Sequence, residues 1–179
     1  GGVRADLAKG DVTYEQAATV QPFGNNIAVA TLSGAAIKEA LENQWQTPEA
    51  TEKSGRPRLD MGLSDNVSYT YNPNAERGNR ILDIQINGES VDPEKDYTVA
   101  ASTFLLDGGD NFTAFTDGTD TRDSGLIDRD AWIDYLGANP GISPSFAKHA
   151  VALTSAGPLP GAGATATLNV SELDMTSLG

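Results

Sequence analysis

Cysteine is absent from the 179 residues and histidine occurs once. The first absence excludes disulfides, thiol nucleophiles and thiolate metal sites. The second leaves too little for a histidine-rich metal centre, and any Ser-His-Asp triad would have to use His149. That residue lies in Phe-Ala-Lys-His-Ala-Val and reads as a surface or internally satisfied histidine. Basic residues are also scarce: 12 Lys and Arg stand against 25 Asp and Glu, a formal net charge of -13. Binding to a nucleic-acid polymer draws on clustered Lys and Arg that displace counterions from phosphates, and this balance opposes it. A small phosphorylated ligand stays compatible, because one placed arginine acts locally. No apolar run approaches the ~18 residues of a membrane span, and no basic-apolar leader is present. The opening Gly1-Gly2-Val3-Arg4 lacks Met and reads as an edge inside a longer protein. The missing targeting signals therefore do not speak for the parent.

What remains is enough for one ordinary domain, or a domain with an appendage. Thr13-Tyr-Glu-Gln16 has the form of a capping box, which predicts a short helix to about Val20 before Pro22. Residues 26–33 read as a strand, with Ile27, Val29 and Thr31 on one face. Ser33-Gly34 opens a helix whose Ile37, Leu41 and Trp45 form an i, i+4, i+8 stripe, with Lys38 and Glu42 as an exposed pair. The stretch 47–57 is polar and reads as a surface loop. Residues 59–63, 67–71, 81–86 and 97–101 read as strands, and Asn87-Gly88 as a hairpin turn. Asp128 is placed to cap a helix bearing Trp132 and Leu136. After about Val151 the composition shifts to Ala, Gly, Thr, Ser and Pro, and 165–170 looks like a further strand. Helices and hairpins interleave without a βαβ rhythm. The expected class is therefore α+β, a mixed sheet with packed helices and a β-rich C-terminal tail. The expected division is a main domain over 1–153, with 154–179 as linker and tail or the start of an Ig-like domain.

Three loops carry chemistry. They are Gly1 to Arg4, Gln21-Pro-Phe23-Gly24-Asn25, and Ser102 to Phe112 with Phe104, Gly108, Gly109 and Asp110. Loops held by a scaffold are where binding residues concentrate. Phe23, between Pro22 and Gly24, belongs to no helical or strand stripe, and Phe104 stands between a strand and a glycine pair. Either can anchor its turn or present a ring. Phe112 reads as structural.

In order, Gly-Gly-Val-Arg, Thr-Tyr-Glu-Gln with Val-Gln-Pro-Phe-Gly-Asn, Leu-Ser-Gly-Ala-Ala-Ile-Lys-Glu-Ala-Leu, and Tyr-Thr-Val-Ala with Phe-Leu and Gly-Gly-Asp-Asn-Phe resemble the C-terminal domain of the 5'-nucleotidase family. The resemblance runs from Gly1 to about Leu153 and leaves the tail uncovered. It implies that the rings of Phe23 and Phe104 clamp a nucleobase, that Asn25 and Asp110 hydrogen-bond base or ribose, and that Arg4 helps bind the phosphate end. Gly24, Gly108 and Gly109 shape the loops. Base–aromatic stacking at about 1–3 kcal/mol per base tolerates any base, and an arginine fork suits phosphate oxygens. Two departures stand out. The Asn and further Gly that usually open the first motif fall outside the chain, and Asn111 occupies a position where Gly is common.

The resemblance also implies two divalent metal ions in an N-terminal metallophosphatase domain of the same chain, which would perform the hydrolysis. No catalytic or metal-binding residue is expected in this segment, and alone it is expected to be inactive. Its expected partners are a nucleotide or nucleoside and that N-terminal domain, in a secreted, periplasmic or cell-surface parent. Nucleoside 5'-monophosphates, 2',3'-cyclic nucleotides and nucleotide sugars all stay open as substrates. The alternatives are a noncatalytic cell-surface binding module and a degenerate nucleotide sensor on the same scaffold.

Overall fold

A computed structural model describes residues 2–144, 150–155, 157 and 161–171. The chain divides into two compact units, Gly1–Ala138 and Asn139–Gly179. His149 lies outside the described residues.

The first unit is organised around three antiparallel strands, β1 (Asn26–Ser33), β5 (Asp96–Ser102) and β6 (Thr119–Ile127), in the order β5-β1-β6. A second sheet in the order β2-β3-β4 contains β2 (Val67–Tyr71), β3 (Ile81–Ile86) and β4 (Glu89–Ser90). Asn87 and Gly88 close the β3–β4 hairpin with φ of 56° and 81°, the positive pair that a two-residue turn of this hand requires. With an order of three antiparallel strands in each sheet and helices packed on them, the class is α+β.

Helix α1 (Tyr14–Val20) begins at the capping box read from the sequence: Thr13 accepts from the Gln16 N–H, and the Gln16 side chain accepts from the Thr13 N–H. Central strand β1 buries Ala28, Ala30 and Leu32, while Ile27, Val29 and Thr31 are only half-buried. The small residues occupy the core face because α2 (Gly34–Glu42), α4 (Thr103–Leu106) and the buried Phe112, Ala114 and Phe115 crowd it. Phe112 is therefore a core residue, as expected. Leu41, Trp45, Ile81 and Ile84 form a second buried cluster, and Ile37 and Met61 touch both.

Several local readings are corrected. Glu42 is not half of an exposed pair. It is 3% exposed and accepts from the backbone N–H groups of Gly78 (2.9 Å) and Ile81 (2.6 Å). Its carboxylate satisfies the start of β3, a demand set by tertiary structure and invisible to helical periodicity. Segment 47–57 is not a plain loop but contains α3 (Pro48–Ser54). Thr47 caps it, Pro48 occupies its first turn and Gly55 ends it with φ 69°, the Pro-in, Gly-out asymmetry of helices. Residues 59–63 form no strand; Arg58 makes only an isolated bridge with Trp45. Helix α2 stops at Glu42, so Trp45 reaches the core from the turn beyond it.

That turn is polar and buried. Asn43 Oδ1 accepts from Ala114 N (3.1 Å), Gln44 Oε1 from Met61 N (3.0 Å), and Gln46 Nε2 donates to Asn43 O (2.9 Å). Every buried side-chain N or O among the described residues has a partner, as burial demands.

Helix α5 (Asp128–Ala138) follows β6 directly, and Trp132 Nε1 donates to Ala17 O of α1 (3.1 Å). In the second unit β7 (Ala152–Ser155) pairs antiparallel with β8 (Leu168–Ser171). This matches the strand read near 165–170.

Candidate functional site

The pairing of β1 fixes which loops meet. Ile27 lies opposite Ser102 of β5, and Asn26 opposite Ile127 of β6. The loop entering β1, the turn leaving β5 and the start of α5 therefore share one end of the sheet. Phe23 lies three residues before Asn26, and Phe104 two residues after Ser102. The ladder brings both aromatic loops to that end although 81 positions separate them in sequence.

Each side chain has a local cause for its position. Ser102 caps α4 by accepting from Leu105 N (3.4 Å), which sets Phe104 on the first turn. Phe104 is 39% exposed, and Phe23 is half-buried. Neither belongs to the two buried core clusters. Gly109 explains how the chain passes Phe104: a Cβ there would lie 2.4 Å from the Phe104 carbonyl oxygen and 2.5–2.6 Å from its ring carbons Cε1 and Cζ. Gly108 supplies a left-handed turn at φ 81°. Gly24 has neither a left-handed φ nor any atom near a prospective Cβ.

Asp110 and Asn111 also adopt left-handed backbone, at φ 51° and 64°. Asx side chains tolerate that region better than other non-glycine residues, which accounts for Asn111 where Gly is common. The Asp110 carboxylate lies 3.5 Å from the Arg56 guanidinium. Asn25 Nδ2 donates to Asp128 Oδ2 (2.9 Å), and Asp128 N donates to Asn25 O (2.9 Å). The double link pins the loop after Phe23 to the start of α5 and leaves the amide oxygen of Asn25 outside that bond. Arg4 N donates to Val20 O (2.8 Å), and the Arg4 guanidinium carbon lies 5.2 Å from the centroid of the Phe23 ring. That is within cation–π range.

The sequence reading names Arg4, Phe23, Asn25, Phe104 and Asp110, and the fold gathers their loops at one sheet end. It does not name Arg56 or α3, and it reads Asp128 only as a helix cap, not as the partner of Asn25. Thr47-Pro48 and Gly55 are a start-and-stop signal that could have revealed α3. Arg56, and the pairing of Asp128 with Asn25, enter only through tertiary structure. Among the described residues no group of three or more His, Cys, Asp or Glu could hold a metal ion. No helix among the described residues is long and apolar enough to cross a membrane.

Comparison with known proteins bears on this arrangement. The family described as 5'-nucleotidase, C-terminal domain, matches residues 1–117. The chain belongs to that family. The 5'-nucleotidase C-terminal domain is similar to the trifunctional nucleotide phosphoesterase protein YfkN of Bacillus subtilis, 36% identical over 141 residues, which cover 76% of this chain and 9% of that protein. Among solved structures it resembles a 5'-nucleotidase precursor from Thermus thermophilus (30% identity, TM-score 0.63, 76% of this chain and 27% of that one). It also resembles the NAD nucleotidase of Haemophilus influenzae (27% identity, TM-score 0.62, 76% and 26%). The chain thus spans about a quarter or less of the length of these relatives.

Proposed function

We propose that this 5'-nucleotidase C-terminal domain recognises the nucleobase and ribose of a nucleotide and presents its phosphate to a hydrolytic centre elsewhere in a longer, extracytoplasmic parent. The observation that supports the reading is that the β1–β5 pairing sets the loops of two incompletely buried phenylalanines, Phe23 and Phe104, at one end of the β5-β1-β6 sheet, each followed by a hydrogen-bonding side chain, Asn25 and Asp110. An exposed aromatic ring held by a helix cap and a glycine pair is poorly explained by packing, whereas a flat heterocycle is a suitable partner for it. Arg4, beside Phe23, offers a cation for the phosphate end.

The reading includes a division of labour. The relatives are a nucleotide phosphoesterase and nucleotidases several times longer than this chain, and the reading assigns turnover to an N-terminal metallophosphatase domain carrying two divalent ions, which would activate water and stabilise the in-line phosphoryl centre. The test is titration of the chain with adenosine and AMP while the Phe23 and Phe104 ring resonances are followed. Both rings are expected to shift. Phe104→Ala should cost about 1–3 kcal/mol of nucleoside binding and less than that in folding stability, because the residue is 39% exposed. Silence at both rings, or a loss confined to stability, would refute the clamp.

A further inference from the structure

Beside Asp110 lies an arrangement that base recognition does not use. Helix α3 and the segment following it wall an open pocket of about 310 Å³, whose lining includes Lys53, Arg56, Asp110, Asn111 and Glu49. That volume is at the lower end of small-ligand sites, about 300–1,000 Å³, with room for a phosphate group and its waters. Two of the chain's 12 basic side chains share this one wall in a protein with 25 acidic ones.

Both charges are anchored by their backbone. The αL residue Gly55 ends α3, Arg56 N donates to Ser54 Oγ (3.1 Å), and Pro57 O accepts from Gln46 N (3.0 Å). Arg56 is thus held at the pocket while its side chain stays 47% exposed, with its Nη2 3.5 Å from Asp110. A guanidinium has five N–H donors, so a pairing of that length with one carboxylate leaves donors for an anion. The other acid of the wall, Glu49, is ionised, its own backbone N–H and then the Thr47 hydroxyl holding its carboxyl below the usual range, so those local donors, not Arg56, are the leading partners its charge is shown to have.

We infer that Lys53 and Arg56 form an anion subsite at the ribose edge, so that the domain favours nucleosides bearing a phosphate on O2' or O3' over those with a free diol. The inference rests on the reading of Asp110 as the residue facing the ribose. A phosphate on the oxygen next to the one that Asp110 accepts would enter the pocket beside it, where Arg56 can bridge carboxylate and phosphate.

The experiment is calorimetric and NMR titration of the chain with adenosine, 5'-AMP, 2'-AMP, 3'-AMP and inorganic phosphate. Either 2'-AMP or 3'-AMP should bind at least about tenfold more tightly than adenosine, the scale of a charge-assisted hydrogen bond. Arg56→Ala should remove most of that advantage, Lys53→Ala part of it, and Arg56→Lys should retain part of it. Equal affinity for adenosine and both ribose phosphates would overturn the inference while leaving the clamp intact, provided the Phe23 and Phe104 rings still respond. Equal weakening of adenosine and 3'-AMP by Arg56→Ala would also overturn it, since Arg56 would then only position Asp110. So would inorganic phosphate binding as tightly as 3'-AMP. No response to any nucleoside would remove the clamp and the subsite together.

Discussion

Replacing Gly109 with alanine adds one methyl group where the structure leaves no room for it. The added Cβ would lie 2.4 Å from the Phe104 carbonyl oxygen and 2.5–2.6 Å from two carbons of its ring. The ring can rotate away, but the carbonyl belongs to the first turn of α4, which Ser102 caps and whose Leu106 is buried in the core. Backbone must therefore move along with side chain. Forcing a methyl group into such a contact costs about 1–3 kcal/mol. The backbone conformation of Gly109 adds nothing to this, because its φ is not in the left-handed range. A second effect follows if Phe104 is a stacking platform: displacing the ring forfeits up to the value of one stacked base, about 1–3 kcal/mol, or a weakening of nucleoside binding of roughly five- to 150-fold. Urea unfolding of wild type and Gly109→Ala gives the first quantity, and adenosine titration of both proteins the second. Gly109→Ala with an unchanged unfolding midpoint would refute the packing argument. A clear stability loss with unchanged adenosine affinity would show that the Phe104 ring takes no part in binding.

Two further predictions concern the scaffold. Glu42→Ala leaves the N–H groups of Gly78 and Ile81 without their acceptor and should destabilise the chain by about 2–4 kcal/mol in a denaturant titration. Glu42→Gln should cost clearly less, since one carbonyl oxygen remains; equal costs would mean that side-chain volume, not acceptance, is what Glu42 provides. Asp123 accepts from Asn26 Nδ2 (2.6 Å) and from Gly125 N (2.7 Å), the amide of Asn26 being the larger cause of a carboxyl pKa below the ordinary range. A lowered folded pKa means stability that is present above the unfolded value, about 3.9, and lost as pH falls through the folded one. The stability difference between wild type and Asp123→Asn should thus be constant above about pH 5 and shrink below about pH 4. A difference independent of pH throughout would show that the bonds do not favour the ionised form.

How much of this was legible in the sequence depended on whether a residue's role was local. The capping box at Thr13 and Gln16, the Asn87-Gly88 turn, and strands β1, β2, β3 and β5 are written in short-range pattern and chemistry, and all are present. Strand β6 is not legible, because Thr119 to Leu126 are exposed and show no apolar alternation. It exists because β1 offers it a partner, through irregular register and with Asp120 and Gly125 at positive φ. The polar run Glu42 to Gln46 points outward by composition yet is buried, since its side chains supply the acceptors and donors that neighbouring loops lack. Composition can flag such a run only as polar; burial is decided by partners up to 71 positions away, as with Asn43 and Ala114.

The candidate site divides along the same line. Phe23 and Phe104 stand out in sequence because neither fits a periodic stripe, but nothing local says that they share a location. The nearness of their loops follows from one structural fact, the antiparallel pairing of Ile27 with Ser102. A strand pair of this kind converts two distant segments into adjacent loops, and the outer strand β6 adds a third through Asn26 and Ile127. The Asn25–Asp128 double link then fixes the loop carrying Phe23 against α5 instead of leaving it a free turn, and the Gly108-Gly109 turn fixes the one carrying Phe104. A flat ligand can be gripped at low entropic cost only when both walls are held before it arrives. On the proposed reading it is this pre-setting, more than the presence of two aromatic residues, that would suit the end of the β5-β1-β6 sheet to a nucleobase.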